Sequence, residues 1–427
     1  MMARRGGLWK RPDFLNYWAG QAISQLGSQV TLLAIPLLAV LTLRATPLQM
    51  GILAAAETAP FLLTGLLAGV WADRQRRRPI LIAADLGRGA LLLLLPLAAW
   101  AGRLRMEHLY AIGFLVGVLT VFFEVAAQSY LPSLVPRERL VDANGKLQTT
   151  RSTAQVAGPG LAGVLVQAAS APVAILLDAA SFLLSALSLW RIHGSEPVPA
   201  ARQDDVNLWR EIGEGWRVVA RNPILRAFAG KVAIANLGFQ VLMTVFVLYA
   251  TRDLGLDAAH LGLVFAAGSI GSLLGALLAE RTARWRGIGP AIVGGSLVAA
   301  LGLLVVPLVD GPPVVTVPLL VGALCLDGLG SVLADVHMLS VQQAITPDRL
   351  QGRVNATTRF LTWGILPLGG IVGGALGTTI GLRPTIAVGV AAYLLSIGWL
   401  LRSPVGSLRA APESLVSPAL SAAGDGV

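Results

Sequence analysis

The sequence predicts an all-α membrane protein with twelve spanning helices in two related six-helix halves. Three observations carry that prediction. Apolar residues make up 55% of the 427 and charged ones 13%, and the mean hydropathy is +0.70, whereas a soluble domain carries roughly 25% charge. Twelve apolar stretches approach or exceed the ~20 residues that a helix needs to cross the hydrocarbon core. The charged turn ADRQRRRP at 72–79 returns as AERTARW at 279–285, so that Ala72, Asp73, Arg74 and Arg77 are matched by Ala279, Glu280, Arg281 and Arg284, each 207 positions later.

The first six stretches run 14–42, 49–71, 80–101, 108–128, 150–170 and 172–192, forming a first half over 14–192. Runs such as LLIAADLGRGALLLLLPLAAW lack the period-two alternation of a membrane barrel, whose segments are about ten residues long. The first stretch follows a basic segment, residues 1–13, as a signal peptide would. Its length, the lack of a small-residue cleavage site and the charge alternation that follows argue that it is a retained span. The interval 193–224 is the longest polar one within the bundle and carries Pro197, Pro199, Asp204 and Asp205. In it Leu208, Ile212, Trp216 and Val219 recur at helical spacing, the pattern of an amphipathic helix on the inner membrane surface. A linker and a lipid-sensing element are both open readings. The remaining stretches, 225–250, 260–279, 289–309, 314–336, 361–381 and 384–402, form the second half over 225–402, and the small, polar, proline-bearing tail 403–427 is expected to be disordered.

The net charge of +10 raises nucleic acid as a partner, but its distribution has a simpler cause. With the amino terminus inside, inner segments hold 26 Lys and Arg, outer loops hold five, and Arg88 and Lys231 fall within spans. That bias places both ends on the cytoplasmic side. No nucleic-acid partner is expected. The lone Cys325 excludes an intramolecular disulfide and a cysteine metal cluster. The four histidines have no metal-ligand spacing, and GxxxxGK[ST] is missing, so neither a metal, a cofactor nor ATP-driven or enzymatic chemistry is expected.

The repeat extends beyond the charged turn. Glu124 and Asp335 are 211 apart, as are Pro136 and Pro347, Asn144 and Asn355, and Gly163 and Gly374. Together with GLLAGVWADRQRRRPILIAADLGRG, FEVAAQSYLPSLVPRERLVDAN, VAGPGLAGVL and DAASFLLSALSL, this pattern resembles the major facilitator superfamily, in particular its bacterial drug exporters and siderophore exporters, over nearly all of 14–402. The resemblance implies a secondary transporter in which parallel halves leave a substrate path at their interface near the midplane.

The charged turn is then a gating motif, with Gly69, Asp73, Arg74, Arg77 and Arg78 in the first half and Glu280, Arg281 and Arg284 as its echo. The resemblance implies that Asp73 meets the positive amino end of the eleventh span as an inner latch. Arginines that only enforce topology are the alternative. In the third span Asp85 and Arg88 are positioned to pair, either as a structural ion pair or as part of a switch. VAGPGLAGVL resembles the antiporter motif of exporters at Gly158, Pro159 and Gly163, with Ala162 in place of one expected glycine. Its physical reading is a bent, closely packed helix.

Proton coupling needs a carboxyl whose ionisation responds to burial, and carboxylates within spans are functional candidates by default. Glu57, Asp178 and Asp327 stand at mid-depth or outward, and Glu124 and Asp335 near inner ends. Lys231 is expected to snorkel. Gln21, Gln25 and Gln29 on the first span, and Asn236 and Gln240 on the seventh, form polar faces that suit either substrate contacts or interhelical hydrogen bonds. Phe239, Phe246, Phe360 and Trp363 are candidate aromatic walls.

These readings lead to an expected monomeric exporter of amphipathic, drug- or macrolide-like small molecules, working by alternating access as a proton antiporter in the bacterial cytoplasmic membrane. Its expected partners are the small-molecule substrate, protons and membrane lipid. A siderophore exporter, an uptake symporter and a non-transporting membrane sensor are the alternatives.

Overall fold

The computed structural model describes residues 8–194, 196 and 208–409, leaving the side chains of 66–74, 208–212, 214 and 349 outside that description. Among the described residues every regular element is helical. The helices are α1 (Pro12–Leu37), α2 (Pro47–Arg74), α3 (Arg77–Trp100), α4 (Met106–Leu134), α5 (Leu140–Ala168), α6 (Ala171–Trp190), α7 (Leu208–Arg221), α8 (Pro223–Leu248), α9 (Ala258–Arg286), α10 (Ile288–Val305), α11 (Pro313–Ile345), α12 (Asp348–Gly364), α13 (Leu366–Thr379) and α14 (Leu382–Leu401).

Ten candidate spans among the described residues are long and apolar enough to cross a membrane. Helices α2 and α5 occupy the other two positions expected from sequence. The α5 helix starts ten residues ahead of its apolar stretch, because LVDANGKLQT is polar yet continues the helical backbone. The eleventh span is longer than its apolar stretch for the same reason: polar α12 leads, through a break at Ile365, into apolar α13. The amphipathic interval forms α7, with Val219 buried and Trp216 exposed.

The backbone separates into two compact units. The first comprises Met1–Asp204, Met243–Ala266 and Gly370–Leu382. Within it α1 packs on α5 and α6, α3 on α4 and α6, and α2 on α4. The internal repeat is visible here as backbone geometry. A π-helical turn at Leu38–Thr42 ends α1, and a second at Tyr249–Asp253 ends α8, 211 residues later. Each is followed by a left-handed residue, Arg44 (φ 51°) and Gly255 (φ 64°), that turns the chain into the next helix. The start of that helix is capped in both cases. Thr46 Oγ1 accepts from Gln49 N at 3.3 Å before α2, and Asp257 Oδ1 accepts from His260 N at 2.9 Å before α9.

The second unit comprises Asp205–Leu242, Ala267–Gly369 and Arg383–Val427. Its core joins Ile224, Phe228, Ile292, Met338, Val341 and Leu400. Helix α10 lies along α11 where Gly295 and Gly330 let the backbones approach, and α7 packs on α12 through Gly215 beside Thr357. The start of the tail is ordered: Pro404–Ser407 forms a short 3-10 turn that buries Val405, and Leu408 O accepts from Gly289 N at 2.7 Å. The apolar Val405 supplies the burial that the surrounding polar residues do not. Residues 410–427, where disorder was also expected, lie outside the described residues.

Candidate functional site: two buried charge clusters and a polar cavity

In the first unit, α3 presents Asp85 and Arg88 on one face, one helical turn apart. Asp85 is fully buried, Arg88 is 4% exposed, and Asp85 Oδ1 accepts a hydrogen bond from Arg88 Nη2. Pairing at i and i+3 lets both charges enter an apolar interior that neither could enter alone. The guanidinium is held between two rings, its carbon 4.2 Å from the centres of both Phe123 on α4 and Phe182 on α6. From α6 the buried Asp178 accepts from Ser181 Oγ at 2.9 Å, with Thr31 of α1 facing it. Asp178 and the half-buried Glu124 of α4 lie within electrostatic reach of Arg88. One cation thus stands among three carboxylates.

The second unit also sets a buried cation beside carboxylates, two of them here. Lys231 of α8 is 3% exposed and its Nζ lies 3.8 Å from Asp335 of α11. This corrects the expectation that Lys231 snorkels: it is instead buried and pairs with a carboxylate one helix away that is itself 61% exposed. Asp327, about two turns before Asp335 on α11, is buried. Its Oδ1 accepts from Ser331 Oγ at 3.3 Å, and Ser331 lies 3.2 Å from the Tyr393 hydroxyl on α14. Asp327, Asp335, Lys231, Ser331 and Tyr393 all line a cavity of about 270 Å³, together with Asn236, Phe239, Ser272 and Thr362.

The polar residues singled out from sequence separate into distinct settings. Asn236 reaches the cavity and donates to Thr362 O at 3.4 Å. Gln240 packs against Gly369. In the first unit Gln21 is buried, Gln25 and Gln29 are half-buried, and the Gln29 side chain fills the space beside Gly158. Glu57 is half-buried, with its stem against Gly113 of α4. Of the aromatic candidates, Phe239 lines the cavity. Phe246 is fully buried and edge-packed on Phe265 at 5.6 Å, and Phe360 is exposed.

In the gating motif, Gly69, Asp73 and Arg74 lie outside the residues whose side chains are described. Arg77 and Arg78 are tied down by a residue that sequence reasoning passed over. Glu196 accepts from the backbone N–H groups of Arg77 and Arg78 at 2.7 and 3.1 Å, placing a carboxylate on the positive end of α3. The Arg78 side chain in turn donates to Leu189 O and Trp190 O at 3.0 and 2.6 Å, covering the last carbonyls of α6. Glu196 directly precedes Pro197 in a polar interval and carries no local signal for such a long-range cap. In the echo, Glu280 and Arg284 are 3.9 Å apart and largely exposed, and Arg281 lies 4.9 Å over the Trp285 ring.

The glycines of VAGPGLAGVL are packing positions. A Cβ on Gly163 would stand 2.8 Å from Gly262 Cα on α9, and one on Gly262 would stand 2.7 Å from Pro159 O. The repeat reproduces the arrangement: a Cβ on Gly51 of α2 would stand 2.9 Å from Gly374 Cα on α13. Gly51 and Gly262, like Gly163 and Gly374, are 211 apart, so the two contacts correspond under the internal repeat.

The comparisons with known proteins follow the same lines. The chain is 26% identical over 381 residues to the multidrug efflux pump Tap of Mycolicibacterium fortuitum, covering 87% of this chain and 91% of that one. It is 26% identical over 353 residues to the enterobactin exporter EntS of Citrobacter koseri, covering 81% and 80%. Its fold is that of a bacterial homologue of the iron transporter ferroportin, with a TM-score of 0.73 at 18% identity over 91% of this chain and 98% of that one. The family model of the Major Facilitator Superfamily matches residues 17–367. A helical bundle with a parallel internal repeat, buried charges in both units and a match over that length make this chain a multi-pass membrane transporter belonging to the Major Facilitator Superfamily.

Proposed function

We propose that the chain exports amphipathic, drug-like small molecules across the bacterial cytoplasmic membrane by alternating access, in exchange for protons moving inward, with both termini cytoplasmic. The observation that carries this reading is the cavity in the second unit, where Asp327 and Asp335 face Lys231 beside an aromatic wall at Phe239. Asp335 is 61% exposed where it pairs with Lys231, whereas Asp327 is 7% exposed and bonded to Ser331, a costly place for a bare carboxylate unless a proton or another cation joins it. The first unit sets three carboxylates, Asp85, Asp178 and Glu124, about the single cation Arg88. Apolar and aromatic lining accommodates amphipathic molecules without specifying one.

Asp73 acts as an inner latch, and the glycine contacts let the helices that carry them seal closely. A siderophore exporter is the second reading, favoured by the similarity to EntS. Purified protein in liposomes with an imposed pH gradient, screened with a cationic dye, a macrolide and a catecholate siderophore, tests both. Gradient-driven movement of the dye or macrolide is expected, catecholate movement alone selects the second reading, and movement of none contradicts export.

A further inference from the structure

The last turns of α1 and α8 are enclosed on every side, which a span end facing lipid or water would not be. Leu37, Leu38 and Ala39 are fully buried, and so are Leu248, Tyr249 and Ala250. A helix that is apolar and buried all round belongs to a packed interior. Both turns fall in the first compact unit, which takes in Met243–Ala266 and Gly370–Leu382 from the second half of the sequence.

We infer that these two turns form an outer plug and that Arg252 is the latch holding it shut during the transport cycle. The inference rests on the orientation and the alternating access of the export reading, and adds to them a gating residue outside the charged-turn motif.

Arg252 lies in the π turn that ends α8, and its Nη2 donates to Ala45 O at 2.7 Å, just beyond the π turn that ends α1. The guanidinium thereby ties a helix end of one half of the sequence to a helix end of the other, 207 positions away. Ala45 O stands past the carboxyl end of α1, where the helix dipole favours a cation and the charged donor strengthens the bond. Arg383, another outer arginine, donates to Val309 O at 2.9 Å and lies 3.5 Å from Asp310, so these ties stay within the second half.

The internal repeat sharpens the assignment. The position equivalent to Arg252, 211 residues earlier, is Leu41, whose side chain is 53% exposed. A need of the turn itself would be met in both halves, whereas a contact between the turns requires a donor from one. Single π turns recur at functional sites. The seal around the latch is close: a Cβ on Gly377 of α13 would stand 2.8 Å from Pro47 Cβ of α2 and from Val245 Cγ1 of α8. Opening the outer side has to part these ends, and the apolar contacts among them set no direction. The guanidinium bond to a single carbonyl does.

The test places spin labels on the full chain in lipid nanodiscs, in a Cys325→Ser background, with no substrate and no pH gradient. The outer pair is Glu107→Cys with Val314→Cys and the inner pair Val141→Cys with Trp285→Cys, all at exposed positions. Arg252→Ala is expected to move the outer pair toward its longer distances, changing the population ratio about three- to tenfold, the scale of one partly exposed hydrogen bond to a charged group. The inner pair moves toward its shorter distances in the same variant. Arg252→Lys keeps part of the original distribution, and Arg383→Ala leaves both pairs unchanged. Unfolding temperatures establish that the variants are folded, and Arg252→Met, which keeps most of the stem, replaces the alanine variant if that one is not. The inference is overturned if neither pair moves, if the outer pair moves without the inner one, as a merely loosened turn would, or if Arg383→Ala moves them as far. A membrane-impermeant maleimide that fails to label Glu107→Cys in intact cells overturns the outer placement. Gradient-driven dye flux on the same preparation separates the two layers: shifted distances without flux sink the export reading alone, and flux with unshifted distances sinks the latch alone.

Discussion

Gly163 and Gly262 meet backbone to backbone, so close that a Cβ on Gly163 would lie 2.5 Å from the Ala258 carbonyl oxygen. The contact has a partner under the internal repeat, Gly374 against Gly51 with Pro47 in place of Ala258. Small residues are the usual means by which helices approach in lipid, where packing rather than water exclusion drives association.

Leucine at Gly163 or Gly262 therefore has to push backbone apart, and overpacking of this kind costs about 1–3 kcal/mol. Transport is expected to fall in both variants while membrane insertion persists, with Gly51→Leu behaving alike by symmetry. Ala162→Gly restores the glycine that the exporter motif would have there and removes only one buried methyl group, so its expected effect on flux is small. Flux in proteoliposomes set beside unfolding temperature is the check; undisturbed flux in Gly163→Leu would contradict the packing role.

Arg44 holds a left-handed backbone at φ 51° where the repeat has Gly255 at φ 64°. A non-glycine residue pays roughly 1–2 kcal/mol for that conformation. Arg44→Gly should raise thermal stability, and Gly255→Val should lower it. Calorimetric unfolding in detergent measures both, and opposite signs would remove the claim that the two turns are structurally equivalent.

The buried pair Asp85 and Arg88 predicts a strong asymmetry between single and double variants. Asp85→Ala leaves Arg88 charged between Phe123 and Phe182, a loss of about 3–5 kcal/mol. Replacing both, as Asp85→Leu with Arg88→Met, is expected to recover most of it. A double-mutant cycle on stability reads the coupling. If the double variant keeps full flux, the pair is structural; loss of flux with recovered stability assigns it to switching.

Glu196→Gln removes the carboxylate from the amino end of α3 and, with its single carbonyl oxygen, keeps an acceptor for only one of Arg77 N and Arg78 N. The part of the loss due to the helix dipole is expected to be about 0.3–1 kcal/mol and to shrink with added salt. Arg78→Ala should cost more, because two α6 carbonyls lose their donor. Salt-dependent unfolding of the two variants distinguishes a charge effect from a packing one; a salt-independent loss in Glu196→Gln would rule out the dipole term.

Much of the fold was legible because membrane spans and a gene-scale repeat are written in composition and spacing. The offset of 211 that pairs Glu124 with Asp335 also relates the π turns, the caps at Thr46 and Asp257, and the glycine contacts. Individual burial was less legible. Lys231 has a stem long enough to reach the surface or an internal partner, and only the placement of Asp335 decides between them. Ser331 and Tyr393 are ordinary span residues in sequence, 62 positions apart, and their relay to Asp327 exists only once α11 and α14 are packed. Glu196 was hidden for the same reason: it caps a helix 119 residues earlier in the chain.

Proton exchange is the central claim, and it is measured most directly by proton movement itself. Liposomes containing the protein and a trapped pH indicator, with equal pH on both sides and a gradient of transported dye, should show substrate-evoked proton flux opposite to the substrate. That flux should be abolished in Asp327→Asn or Asp178→Asn variants that remain folded. Substrate movement with no proton movement, or proton flux unchanged when both carboxylates are removed, would contradict the account.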